Sequence, residues 1–577
     1  MPEARSLRAP FDEQVSGSTF AASPSWASIL VSACLLVGVG TARAAWQAGG
    51  TPLDTQAGEH AGPRVVPDGL GGAYVVWTLA HSHVRAQHLT SAGDPAAGWG
   101  VGGQEIVLSG SEHFLLGAGS DGGNGLIAGV NEYGPGRAVR LLPDGSAAPG
   151  WDAAGKIFFT PSHETGRTSQ LDFFTPDFAG GAWFGTDSLV TSCAEPGFCN
   201  YFGFARVDHV SSTGALDGRW NVTGGAYGAS FYGPSARAGS IISAGISGEG
   251  SQTSWARFSP TPQLEWLGYL GFDHVIADGS ADDGAGGALI VAEGNNYSTP
   301  PHLMRLDANG AVAVGWPADG VMLPIPSGNY LDKSAVDDGL DGILIGWRQA
   351  VASGFELRVV RMTNAGVPAA GWPAEGVLLN GAPGAHYGLR LAADGSGGVF
   401  AAWVDQRTDV AGDIYASHVN PDGTVDPAYA VNGSIIEAGP GAQGSIDIAT
   451  VSADHAIVTW TDRRDGVHSV VYAQQLPPAF TLDVPKHAAS GFTLVGFTPN
   501  PARGAIRVGF RLAEQADATL EVFDLLGRRM AGQELSALPA GDHSVPIDGA
   551  GSLPNGLYLI RVRVGDLERT ARGLIAR

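Results

Sequence analysis

The chain has 577 residues, 44% of them hydrophobic and 15% charged, with 86 glycines and a formal net charge of −23. That length exceeds what one small core organises, and abundant glycine with sparse charge suits many short strands and tight turns, not helix bundles or disorder. Three lysines (Lys156, Lys333 and Lys486) and no basic cluster argue against nucleic-acid binding, since an acidic surface repels a phosphate backbone.

Residues 1–44 read as an export signal, a signal peptide. The apolar run from Ile29 to Val39 is too short to span a bilayer, and Ala42-Arg43-Ala44 places small residues where a signal peptidase cuts. Val31-Ser32-Ala33-Cys34 also resembles a lipoprotein cleavage box, although most of the apolar run follows Cys34. No later stretch approaches the roughly 20 apolar residues of a membrane helix, so no transmembrane segment is expected in the mature chain.

Residues 45–476 form a repeat domain. Its fullest motif is Asp394-Gly395-Ser396-Gly397-Gly398-Val399-Phe400-Ala401-Ala402-Trp403, a glycine turn feeding a strand that ends on tryptophan. Copies start near Gly72, Gly125, Gly181, Gly287 and Gly342, a degraded one lies at Gly239-Ser240-Ile241-Ile242, and His455 to Trp460 opens the last. The spacing is near 55 residues and gives about eight units. A second strand follows each, then a turn and a Gly-Trp pair, as at Gly98-Trp99, Gly315-Trp316 and Gly371-Trp372. Units of that size holding about four short strands suit a large β-propeller of seven or eight blades in an all-β protein. The last unit lacks its Gly-Trp tail, and Ala45-Trp46-Gln47-Ala48-Gly49-Gly50-Thr51-Pro52-Leu53 looks like that tail without a head. A ring closed by the N-terminal strand accounts for both and removes exposed edges; an open β-solenoid is the alternative. Strand alternation sends Val399, Ala401 and Trp403 to one face and Phe400 and Ala402 to the other, with the tryptophan expected against the next blade.

Cys193 and Cys199 flank Ala194-Glu195-Pro196-Gly197-Phe198, where Pro-Gly turns the chain and brings the sulfurs together. A disulfide there would add about 2 kcal/mol in an oxidising compartment; two free thiols are the alternative. Asp282-Asp283-Gly284 and Asp337-Asp338-Gly339-Leu340-Asp341-Gly342 offer oxygen ligands for a structural Ca²⁺, against the plainer reading that each aspartate caps its own turn. No other cofactor is expected. Asp405 with Arg407, and Asp462 with Arg464, read as loop-bracing ion pairs because they recur at equivalent positions. Sialidase-type Asp boxes, Ser-His-Asp order and a Gly-x-Ser-x-Gly elbow are not found, so no catalytic residues are assigned.

What differs between units is the loop after the Gly-to-Trp strand. His81, His83, Tyr133, Asn296, Tyr297 and Arg348 lie in these loops and define the candidate ligand surface, suited to a glycan or an extracellular protein. His81 and His83 have no third ligand nearby that would make a metal site.

A linker at 477–490 leads to residues 491–577, where about seven alternating strands and turns at Pro499-Asn500-Pro501, Leu526-Gly527-Arg528 and Pro554-Asn555-Gly556 predict a small β-sandwich. Asn500-Pro501, Val522-Phe523-Asp524-Leu525-Leu526-Gly527-Arg528-Arg529, Gly541-Asp542-His543, Leu553-Pro554-Asn555-Gly556-Leu557-Tyr558 and the closing Thr570 to Ile575 occur in order. This segment resembles the C-terminal sorting domain of type IX secretion substrates, which is similar to the Ig-like domain of flagellar hook-capping proteins. The resemblance implies an Ig-like fold, the type IX machinery as partner, and a secreted or cell-surface location. Gly573 stands where the family usually has lysine. The repeats, in turn, resemble uncharacterised propeller-like repeats found upstream of such tails, through Asp-Gly-x-Gly-Gly, Trp403-Val404-Asp405-Gln406-Arg407, Trp460-Thr461-Asp462-Arg463-Arg464 and Asp413-Ile414-Tyr415-Ala416. The expectation is an exported, non-enzymatic binding or structural protein; the alternative is a secreted glycoside hydrolase or lyase with its site in the propeller channel.

Overall fold

Short apolar runs bounded by glycine turns become strands throughout, because glycine reaches the positive φ that each tight turn needs. The computed structural model describes residues 46–477 and 492–575, apart from 48, 81, 107–112, 133–135, 160–166, 196–197, 226–230, 238–239, 248–251, 259–262, 271–273, 295–299, 326–329, 353, 409, 498–506, 513–514, 525–527, 548–552 and 565–566. The export signal and the 478–491 part of the linker lie outside the described residues. All regular structure among the described residues is β, in small antiparallel sheets.

Eight sheets of four strands follow one another between residues 51 and 476. The first takes His60–Pro67, Ala73–Leu79, His83–Leu89 and Gln104–Glu105 in chain order. The next six repeat that order, opening on His113–Ser120, Arg167–Pro176, Phe231–Arg237, His274–Asp282, Tyr330–Asp337 and His386–Ala393. The eighth has three consecutive strands, Gln443–Ser452, His455–Asp462 and Val470–Leu476, and receives its fourth from Thr51–Pro52. Thr51 pairs with Ala473 and Pro52 with Tyr472, so the two complementary fragments read from the sequence do join. First strands of successive sheets touch, and Gln443–Ser452 of the eighth touches His60–Pro67 of the first.

The cores lie between sheets. Val399, Ala401 and Trp403 pack with Leu344, Leu357 and Val359 of the sixth sheet, while Phe400, Ala402 and Val404 pack with Ile448, Val458 and Trp460 of the eighth. Leu53, Ile457, Val471 and Ala473 pack in the same way on Val65, Val75 and Trp77 of the first. Both faces of a strand are therefore buried, as its uninterrupted apolar run requires.

Three sequence expectations need correction. The strand after the glycine turn is the second of its sheet, because a less conspicuous strand such as His60–Pro67 precedes it. Trp77, Trp347, Trp403 and Trp460 face the preceding sheet, not the next, since they share the parity of the residues on that side. Arg348 and the cysteines are not in loops: Arg348 lies in strand Ile343–Val351, and Cys193 and Cys199 lie opposite one another in strands Ala182–Glu195 and Phe198–Val210. Backbone pairing in both hairpins continues further than the apolar pattern suggests.

Residues 492–575 form two further sheets, one of three strands (Phe492–Phe497, Arg507–Leu512, Gly541–Pro546) and one of four (Arg529–Leu538, Ala516–Phe523, Gly556–Val564, Leu567–Ile575). Val508 and Phe510 from the first share one core with Leu520, Val522, Ile560 and Val562 from the second. Gly573 is tight: a Cβ there would overlap the Phe497 ring. Lysine would therefore require that ring to move.

Trp403 is fully buried at the sixth-to-seventh interface. Trp403→Ala is expected to cost about 3–5 kcal/mol, read from the urea midpoint of the transition that tryptophan fluorescence reports. A midpoint equal to wild type would show that this interface does not depend on it.

Candidate functional site

The aspartate that opens each glycine turn is buried and has both oxygens occupied. Asp394 Oδ1 accepts from the amides of Ser396 and Gly398 at 2.7 and 2.9 Å, which closes the turn. Asp68, Asp121, Asp177, Asp283 and Asp338 do the same two and four residues ahead. The capping reading of these aspartates is thus what the geometry contains. In each case Oδ2 accepts from a side chain on the third strand. The donor is His88, His209 or His418 in the first, third and seventh sheets, at 3.0, 3.0 and 3.3 Å. It is Arg140, Arg305 or Arg361 in the second, fifth and sixth, at 2.9, 2.9 and 2.7 Å.

The residue six after each aspartate sits directly across from that donor. It is Tyr74, Trp183 or Phe400 opposite histidine, and Ile127, Leu289 or Leu344 opposite arginine. Tyr74 stacks on His88 with ring centroids 4.1 Å apart, and Phe400 on His418 at 4.2 Å. In these six sheets the short, flat imidazole is matched with an aromatic ring and the longer guanidinium with an aliphatic side chain. The other end of the donor is also used. His88 Nδ1 faces the Pro143 carbonyl at 3.1 Å, and Arg140 and Arg305 donate to the carbonyls of Ser212 and Asn364. His209 and His418 instead turn Nδ1 to Asp217 and Asp426. Both ring nitrogens of each histidine thus have an oxygen partner, so the imidazole bridges the same two sites that the guanidinium bridges elsewhere.

Burial alone would raise the carboxyls of Asp68, Asp177 and Asp394. The hydrogen bonds from their histidines and turn amides outweigh it and hold all three below the usual carboxylate range.

The Gly-Trp pairs clasp sheets together. Indole N–H groups of Trp99, Trp151 and Trp372 donate to the carbonyls of Pro143, Ser212 and Pro421 in the following sheet, at 2.9, 2.8 and 3.0 Å. Trp46 donates to Ser91 of the first sheet at 3.2 Å and so stands in for the tail missing from the eighth.

Asp405 and Asp462 are buried braces. Asp405 Oδ2 accepts from Trp403 Nε1 at 3.1 Å and from Asn380 at 2.9 Å, and it pairs with Arg407. Asp462 accepts from Trp460 at 3.1 Å and from Arg464 at 2.6 Å. The two guanidinium groups lie over Tyr415 and Tyr472, 4.2 and 3.9 Å from the ring centroids. Burial would raise Asp405, but bonds from His386, Arg407 and Trp403 prevail and hold it far below the usual range. The acidic turns are similarly committed. Asp337 accepts from the amides of Gly339 and Asp282, and Asp282 pairs with Arg257. No group of three or more His, Cys, Asp or Glu residues able to hold a metal occurs among the described residues.

Of the six predicted ligand-surface residues, His81, Tyr133, Asn296 and Tyr297 lie outside the described residues. His83 opens a third strand and meets Glu105 Oε1 at 2.7 Å. Arg348 is tied to Asp332 at 3.2 Å, to the His386 carbonyl at 3.0 Å and to the Phe355 ring. These two are far apart in the sheet order and share no contact. Sequence reading missed the third-strand His or Arg and its opposite neighbour; the fixed six-residue offset from the aspartate is the signal that would have found them.

In the C-terminal unit, Asp524 accepts from the Arg528 amide at 2.9 Å and from its guanidinium at 2.6 Å, and Tyr558 donates to the Pro554 carbonyl at 2.9 Å. Asn555 and Gly556 lead into strand Gly556–Val564, while Asn500, Pro501 and Gly527 lie outside the described residues. Residues 497–576 match the secretion system C-terminal sorting domain family. The C-terminal unit is a type IX sorting domain. The protein is therefore exported, to the cell surface or beyond, and its sorting domain implies interaction with the type IX secretion machinery. No helix among the described residues is long and apolar enough to cross a membrane.

No curated protein matches the chain. Solved structures similar to it include a puromycin hydrolase mutant complexed with PGG, at 14% identity and TM-score 0.36, covering 73% of this chain and 61% of that one. Prolyl oligopeptidase B from Galerina marginata, in its apo form, is similar at 9% identity and TM-score 0.40, covering 70% and 55%. A protein of unknown function from Dyadobacter fermentans DSM 18053 is similar at 10% identity and TM-score 0.34, covering 74% and 97%. The chain spans less than two thirds of the length of the first two, and likeness at this level carries nothing about activity.

The offset pairs make a direct test. His418→Arg alone should destabilise, because Phe400 occupies the space, and Phe400→Leu with His418→Arg should recover most of the loss, giving a coupling of about 1–2 kcal/mol in a double-mutant cycle. Additive effects would refute the pairing. In the wild type, the depressed aspartates contribute stability that is complete above their ordinary value of 3.8 and is lost as pH falls through their lower folded values. Asp394→Asn should therefore lower the urea midpoint at pH 7 and make its decline below about pH 4 shallower.

Proposed function

We propose that the eight sheets are the blades of a closed β-propeller spanning about residues 45–476, and that this ring is a non-catalytic binding or structural module displayed outside the cell. The observation that supports it most is the junction of the ends: Thr51–Pro52 completes the eighth sheet, whose first strand packs on that of the first. A ring has no free sheet face at its ends, whereas an open array would leave two. The conspicuous repeated residues are committed to turns, sheet-to-sheet clasps and braces, which favours a scaffold and leaves binding to the unlike hairpins between second and third strands. His81, His83, Tyr133, Asn296, Tyr297 and Arg348 belong to these hairpins or their ends, and a glycan or extracellular protein is the ligand class they suit. The hairpin around Cys193 and Cys199 is longer than its counterparts, and their opposed register supports a disulfide across it. The Ig-like C-terminal unit, 491–577, is the address, and residues 1–44 the export signal.

With Thr51→Cys and Ala473→Cys in one chain, mild oxidation should form an intramolecular disulfide in the folded protein, read by mass spectrometry of the linked peptides. Failure of the linked peptide to form would open the ring. For the address, a chain lacking residues 491–577 should remain inside a type IX-competent host, as judged by fractionation; undiminished export would remove the sorting role.

A further inference from the structure

In the first, second, sixth, seventh and eighth sheets a bulge interrupts the first strand, and the residue that resumes pairing occupies one equivalent position. That residue is small in several sheets: Gly117 in the second and Ser334 in the sixth. In three consecutive sheets it is charged instead. Arg390 of the seventh, Asp447 of the eighth and Arg64 of the first hold it. These three sheets adjoin through their first strands. A scaffold with one residue per sheet at this position has no need of such asymmetry.

The charges do not cancel. Asp447 Oδ2 accepts from the Val65 amide at 2.9 Å, and its Oδ1 lies 3.6 Å from Arg64 Nη1. The Arg64 side chain remains 49% exposed. Arg390 is exposed, donates to the Leu389 carbonyl at 3.0 Å, and has no ion pair within 4.0 Å among the described residues. Most arginines elsewhere in the eight sheets are paired with a carboxylate, as Arg140, Arg305, Arg348, Arg361, Arg407 and Arg464 are. In a chain of net charge −23, two guanidinium groups thus flank one carboxylate with a positive charge left over. Burial raises the Asp447 carboxyl, against the opposing pull of Arg64, the Val65 amide and Arg390, which places both guanidinium charges within its field.

We propose that Arg390 and Arg64, on either side of Asp447, bind an oxyanion, a sulfate or carboxylate group carried by an extracellular ligand. The guanidinium fork matches either group in two-point contact. Arg390 is the principal contact because no carboxylate among the described residues pairs with it, Arg64 assists at the cost of its long contact to Asp447, and Asp447 sets the spacing while opposing the anion. The inference rests on the reading of this region as a ligand-binding ring and supplies that ring's ligand chemistry.

Equilibrium dialysis of the full chain against labelled sulfate, and separately against labelled glucuronate, at fixed ionic strength tests it. One saturable site is expected, with Kd of the order of 1 mM for the isolated group. Arg390→Gln should weaken binding at least tenfold, Arg64→Gln less so, and Asp447→Asn should strengthen it several-fold. Saturation by sulfate but not glucuronate assigns a sulfated ligand, and the reverse assigns a uronate. Each variant's urea midpoint is measured alongside, so that only folded protein is scored. No saturable binding of either probe to wild type, or Arg390→Gln binding as wild type does, overturns the site. If the Thr51–Ala473 cross-link still forms in that protein, the site fails and the ring stands.

Discussion

The structure depends on one short carboxylate used twice. In six of the eight sheets an aspartate closes the turn between the first two strands with one oxygen and holds a cation on the third strand with the other. A single side chain therefore ties three strands together before any apolar packing is counted. Burying a carboxylate is costly unless its lone pairs are filled, and here two amides and a third-strand histidine or arginine fill them. The donor then reaches on to a carbonyl of the next sheet in several copies, so the order within a sheet is passed to its neighbour.

Where the brace is absent, other contacts take over. The fourth sheet has Arg257 opposite Ile242, and that arginine pairs with Glu265 and with Asp282 of the fifth sheet. The eighth has Gln475 opposite Ile457 and gains its fourth strand, with the Trp46 clasp, from the far end of the chain. In the eighth sheet the replacement comes from the opposite end of the repeat region. That arrangement makes the junction between the eighth and first sheets the part of the repeat region least determined by local sequence.

The repeated glycine motif was legible as scaffold from repetition alone, and the seven strands of the C-terminal unit from alternation. Phasing was not. His60–Pro67 and its counterparts contain proline, glycine, histidine and charge, and their bulges break the two-residue period, so nothing in their composition announces a strand. Likewise Arg348 looked like a loop residue because it follows Trp347, although pairing runs on to Val351 and Gly354.

Sequence by itself determined the strand-rich class, the unit length, the two faces of each buried strand, the complementary ends and the sorting domain, because each is written in local period, spacing or motif. Tertiary structure decided which neighbour each tryptophan faces, which third-strand cation each aspartate holds, and which charges meet at Asp447. The charges at Asp447 show why: its carboxylate meets the Val65 amide 382 residues away in the chain, and separation of that kind leaves no period in the sequence to read.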